Sequence, residues 1–142
     1  MTENSKEAAD AGSFGAEAHF HGSVSKKELV EAARATVIST ADEIVKKRGI
    51  LLGHVKLFIS ANGTLKLNMV DPTMGIDIED KLNDPVVDGE IKYMAAAMGV
   101  SDKELETIMT ESLKSIDQTV KLNFKKHEHE HDHAHNVTFE GV

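Results

Sequence analysis

Between Leu29 and Val45 the apolar residues Leu29, Val30, Ala33, Val37, Ala41, Ile44 and Val45 recur at intervals of three and four. That spacing lines up one buried helical face. Ser25-Lys26-Lys27-Glu28 precedes it with the spacing of a capping box, in which a serine hydroxyl and a glutamate three residues later engage the first free amides. Lys46, Lys47 and Arg48 suit the negative end of the helix, and Gly49 is placed to take the left-handed stop conformation. The pattern predicts a long helix over about 26–48.

The period then changes to two. Val55, Leu57 and Ile59, followed by Leu65, Leu67 and Met69, alternate with polar residues on either side of Ala61-Asn62-Gly63, which predicts a β-hairpin. A two-residue Asn62-Gly63 loop would pair Ile59 with Lys66 and Leu57 with Asn68, mixing faces on every rung. A three-residue loop with Gly63 in the left-handed bulge position instead pairs Ile59 with Leu65, Leu57 with Leu67 and Val55 with Met69, and this register is preferred. It leaves His54, Lys56, Phe58, Lys66, Asn68 and Val70 on the other face, with His54 outside the core. After the turn chemistry of Asp71-Pro72-Thr73-Met74-Gly75, Ile76 and Ile78 alternate with Asp77 and Glu79 as a short third strand.

Ile91, Met94, Ala95 and Met98 form a stripe that Gly99 stops, and Ser101-Asp102-Lys103-Glu104 is a second capping box ahead of Leu105, Ile108, Met109, Leu113 and Ile116. These predict a helical hairpin. The turn Ala95–Ser101 resembles that of a helix-turn-helix DNA reader. Asp102, Glu104 and Glu106 at the start of the second helix would repel phosphate, so packing on the sheet is the preferred reading. Val120, Leu122 and Phe124 alternate as a last strand. The expected fold is α+β: a long N-terminal helix, a three- to four-stranded mainly antiparallel sheet, a helical hairpin, and a flexible His-rich C-terminal tail, with the helices on one face. In domain terms, residues 1–22 are expected to be a disordered N-terminal segment, 23–125 a single α+β domain and 126–142 a metal-binding tail. Dimerisation through a sheet edge is an open alternative, because three short strands cover little of a core unaided.

With 142 residues and 40% hydrophobic content the chain is long enough for one core. A formal net charge of -8 makes a nucleic-acid backbone an unfavourable partner. No stretch approaches a membrane span and Met1–Gly15 lacks an apolar signal core, so a cytoplasmic setting without membrane contact is expected. The absence of cysteine removes disulfides and thiolate metal sites, leaving nitrogen and oxygen as donors. The acidic residues Asp71, Asp77, Glu79, Asp80, Asp84 and Asp88 lack the spacing and closing glutamate of a calcium loop, and read as solvated edge and loop carboxylates.

The candidate chemistry sits at the end. In Lys126-His127-Glu128-His129-Glu130-His131-Asp132-His133-Ala134-His135, histidine occupies every second position and carboxylates fill three of the four gaps. Imidazole suits nickel, zinc, cobalt and copper, whereas an oxygen-only tract would suit magnesium or calcium. Extended, the tract would set its imidazoles on one side about 7 Å apart, from roughly 3.3 Å of rise per residue. Helical, it would bring together His127 with His131, His129 with His133 and His131 with His135. Such a tract lacks a fixed second shell, which fits loading and release better than catalysis. A solvated tail with incidental metal affinity is the bland alternative, and the acidic spacers together with Asn136–Val142 argue against a purification tag. His19 and His21, in the alternating Ala18-His19-Phe20-His21-Gly22, are a second candidate site or a partner for the tail.

The His-rich end resembles those of nickel-enzyme maturation proteins. The resemblance covers about ten residues and concerns composition, not a fold. It implies a metallochaperone or metal-storage protein that binds nickel, with zinc or cobalt as alternatives, and hands it to a client metalloprotein. The expected ligands are His127, His129, His131, His133 and His135, with Glu128, Glu130 and Asp132 auxiliary. The competing expectation is a non-catalytic protein-interaction module whose tail is incidental. No nucleophile motif, phosphate-cradling loop or His-Glu-x-x-His helix announces an enzyme.

Overall fold

The first apolar stripe forms helix α1 over Lys26–Arg48; Ser25 Oγ accepts from the Glu28 N–H at 3.1 Å, and Gly49 closes the helix at φ 80°. The chain is seen in a computed structural model that describes residues 11–51 and 53–125. Strands β2 (Gly53–Ala61) and β3 (Gly63–Met69) make the hairpin in the preferred register, Ile59 opposite Leu65, Leu57 opposite Leu67 and Val55 opposite Met69. Gly63 has φ 129°, and a Cβ there would run into the Lys81 carbonyl oxygen of the neighbouring strand, so both backbone and space require glycine. That neighbour, β4 (Asp77–Leu82), pairs antiparallel with β3 as the short third strand.

Two expectations are corrected. The segment 1–22 is not disordered throughout, because Ala11–Val24 is a fourteen-residue strand, β1. Its core-facing positions are mostly small, Gly12, Ala16 and Ala18 with Phe14 and Phe20, and so give little hydrophobic signal. The stripe Ile91, Met94, Ala95, Met98 is not a helix. Val86–Met98 is strand β5, paired antiparallel with β1 on one side and β2 on the other. Ile91, Tyr93, Ala95 and Ala97 alternate into the core. Two flanking strands satisfy the backbone of this Met- and Ala-rich segment and override its helical preference. The helical hairpin, and with it the helix-turn-helix resemblance, therefore does not form.

The second capping box does form. In α2 (Asp102–Ser112), Glu104 N–H donates to Ser101 Oγ at 3.0 Å and Ser101 N–H to Glu104 Oε1 at 2.9 Å. A short helix α3 (Lys114–Thr119) follows, with Val120 as its cap, so the last strand, β6, shrinks to Asn123–Phe124. The sheet thus has six strands rather than three or four, all antiparallel, in the order β4-β3-β2-β5-β1-β6.

Register places Phe20, Ala18, Ile91, Tyr93, Ala95, Val55, Leu57, Ile59, Leu65 and Leu67 on one face, all buried. α1 packs there on β2 and β3, and α2 on β1. A polar seam crosses this core. The Tyr93 hydroxyl bonds the Thr40 hydroxyl and lies 3.2 Å from the Thr36 carbonyl oxygen, while Ser112 Oγ donates to the Ile108 carbonyl at 2.9 Å. Burial pushes the Tyr93 phenol far up, so it stays a neutral donor. Among the described residues no helix is long and apolar enough to cross a membrane.

Candidate metal site

β1 carries two of the candidate ligands at its distal end. His19 lies opposite Glu90 of β5, and Glu90 lies opposite Ser60 of β2, so the three share a rung on the face away from the helices. Beyond Phe20 the register slips: Phe20 pairs with Gly89 and Ser23 with Val87, leaving His21 and Gly22 against Asp88 alone. This is a β-bulge, a device that re-aims a side chain at a sheet's rim. Gly22 takes φ 99° and its N–H donates to Asp88 Oδ1 at 2.7 Å, while Asp88 itself sits at φ 44°. Gly89 fixes the neighbouring strand. A Cβ there would stand 2.7 Å from the Phe20 ring, so only glycine lets that ring into the core.

The result is that the two imidazoles meet, with ring centres 5.1 Å apart and planes at 71°. This is the arrangement of an ordinary edge-to-face ring pair, and it keeps the two side chains close together at the rim. The pair borders a recess of about 360 Å³ shared with Ser60, Asp88 and Glu90. Among the described residues, no three His, Asp or Glu side chains are grouped to hold an ion. His19 and His21 therefore make at most half of a tetrahedral site by themselves.

The root of the tail lies beside them. On the other side of β1, Asn123 pairs with His19 and Phe124 with Ala18. The Lys125 N–H then donates to the Glu17 carbonyl at 3.0 Å, and its Nζ meets the Glu17 carboxylate at 3.3 Å. Glu17 is only 8% exposed, so this pair pins the end of the described chain to the sheet edge. The expected ligands His127, His129, His131, His133 and His135, with Glu128, Glu130 and Asp132, lie outside the described residues. Covalent reach limits where they can go: four residues, from Asn123 to His127, span at most roughly 14 Å.

His54 stands apart, six residues along β2 from the rung of His19, or roughly 20 Å at strand rise. It is half-buried on the uncovered face, and burial first, then the Lys56 charge, hold its imidazole below the ordinary histidine range. Because the unfolded chain keeps its proton more tightly, His54 costs stability as pH falls below about 6.5 toward its lowered folded value. His54→Asn is expected to flatten the fall in the urea midpoint between pH 7.5 and 5; an unchanged pH profile would remove His54 as its source.

The loop carboxylates, expected to be solvated, are in part engaged in caps and ion pairs. Asp71 Oδ1 caps Thr73, Asp80 meets Lys26 Nζ at 3.5 Å, Glu79 meets Lys81 at 3.1 Å and Asp84 accepts from the Lys26 N–H at 3.0 Å. Sequence spacing found His19 and His21, but not Glu90 and Asp88, which the pairing of β1 with β5 brings to them from far along the chain. No protein-family model, no curated protein and no solved structure matches the chain.

Proposed function

We propose that the protein captures late divalent transition-metal ions and delivers them to a client metalloprotein, with nickel favoured and zinc or cobalt as alternatives. The ligands are His127, His129, His131, His133 and His135, with His19 and His21 as a second donor pair. The observation that supports this reading is adjacency: the two imidazoles of β1, 5.1 Å apart, stand on the strand that pairs with the root of the histidine tract. An incomplete pair beside a donor-rich segment suits transfer, because an ion can exchange donors one at a time without being released to water. An alternating tract also offers many equivalent donor sets rather than one oriented set, which favours loading and unloading over catalysis.

Calorimetric titration of nickel, zinc and cobalt at pH 7 tests this in the full chain. Replacing His127, His129, His131, His133 and His135 by Asn is expected to abolish measurable binding, and His19→Asn with His21→Asn to weaken it by about 10-fold, in the range of lost supporting ligands. Equal binding after the five replacements would move the site to the body. No binding by the unmodified chain would end the reading.

A further inference from the structure

β4 is one edge of the sheet, with β3 on one side and no strand beyond it among the described residues. Its backbone groups divide by alternation. The Asn83 N–H donates to the Asn62 carbonyl at 3.2 Å, one position past the paired Gly63 and Leu82, so the odd-numbered residues of β4 direct their N–H and C=O groups at β3. The even-numbered ones direct theirs outward. Leu82 agrees, because both of its groups find partners off the ladder: its N–H donates to Asp80 Oδ1 at 3.0 Å and its carbonyl accepts from Lys26 Nζ at 3.2 Å. Among the described residues the backbone groups of Ile78 and Asp80 have no such partners. They lie open along a strand with neither proline nor bulge, two usual means of blunting an edge. Ile78 also leaves a large apolar side chain 37% exposed there.

A second β4 has the matching set. Run antiparallel about a two-fold axis at Glu79, the Ile78 of each copy meets the Asp80 of the other, which closes four backbone hydrogen bonds and uses every open group. The side chains fit the same register. On the face away from the helices, Asp77 of each copy stands opposite Lys81 of the other, an opposite-charge pair made twice. Only Glu79 meets its own kind, at the axis. The Lys81 hydrogen bond, then the charges of Lys81 and Lys66, hold its carboxyl below the ordinary carboxylate range, so each copy brings two lysines to that carboxylate. On the helix face the two exposed Ile78 side chains become diagonal neighbours, while Asp80 keeps Lys26 Nζ at 3.5 Å. A shift of two residues one way sets Ile78 against Leu82, whose groups are taken. The opposite shift sets Asp77 against Glu79.

We propose that the protein forms a two-fold dimer by pairing β4 with the β4 of a second copy, which joins two six-stranded sheets into one. The histidines of β1 and the root of the C-terminal tract lie toward the opposite edge, so this contact is independent of metal capture. A six-residue edge falls among weak interfaces, and the dimer is expected at concentrations on the order of 100 µM.

Sedimentation equilibrium of the full chain in chelator-treated buffer is expected to show the mass rising from one chain toward two as concentration approaches about 500 µM. Ile78→Pro removes an outward N–H that β3 does not use, and should return the mass to one chain with the circular dichroism unchanged. The chain has no cysteine, so cross-linking reads the register directly and decides the matter should the proline variant not fold. Glu79→Cys places two thiols at the axis with Cα atoms about 4.5 Å apart, and oxidised glutathione should link the chains. Asp77→Cys and Lys81→Cys should each fail to link alone, because like positions stand about 13 Å apart, yet link when mixed. A single-chain mass at every concentration, a dimer that survives Ile78→Pro, or linking by Asp77→Cys alone as strong as in the mixture would overturn the proposal.

Discussion

Tyr93→Ala is expected to lower the unfolding free energy by about 3–5 kcal/mol, the range for removing a large buried aromatic side chain. Tyr93 is fully buried at the middle of β5, beneath α1, and its ring is among the largest in the core. Tyr93→Phe keeps the ring and loses the hydroxyl's contacts with Thr40 and the Thr36 carbonyl, which costs about 1 kcal/mol. The Thr40 hydroxyl is not stranded, because it can turn to the Thr36 carbonyl one helical turn back. Urea denaturation of the three proteins measures both steps. If alanine cost less than phenylalanine's expected 1 kcal/mol, Tyr93 would not be the centre of a buried strand, and the pairing of β5 with β1 and β2 would fail with it.

That pairing is also where the sequence was least legible. Helix α1 is readable because its stripe, its capping serine and its stop glycine all give the same answer. The hairpin register is readable because only one loop length keeps Val55, Leu57 and Ile59 facing Leu65, Leu67 and Met69. β5 is different. Met94-Ala95-Ala96-Ala97-Met98 favours a helix locally, and the deciding information sits in β1 and β2, distant in sequence. β1 is hidden for a related reason: its core positions include Gly12, Ala16 and Ala18, whose small size admits α2. A Cβ on Gly12 would run into the Val100 carbonyl that precedes that helix. A strand chosen for close approach carries a weak hydrophobic pattern, and pattern is what a sequence reading detects. For the candidate site, donor types and the His19–His21 spacing were legible, whereas the bulge that brings the two rings together depends on Asp88 and Gly22 meeting across strands.

Nickel held by the full chain at pH 7 is expected to be lost by pH 5, and the steepness of that loss counts the donors. Protons compete with the ion for each imidazole, so affinity falls as pH falls through the ordinary histidine pKa of about 6.5. At pH 5 such a histidine is neutral roughly one time in thirty, so a site needing three of them at once loses affinity by a factor on the order of 10⁴ relative to pH 7. Two imidazoles give a factor nearer about 600 by the same reasoning. Carboxylates stay ionised over this interval, so a site built on Glu128, Glu130 and Asp132 alone would barely change. Equilibrium dialysis against nickel at pH 7, 6 and 5 therefore separates the three donor sets. A fall of a thousand-fold or more supports a multi-histidine site. Retention at pH 5 would assign the ion to oxygen ligands, and with that the case for a nickel-handling tract would be lost.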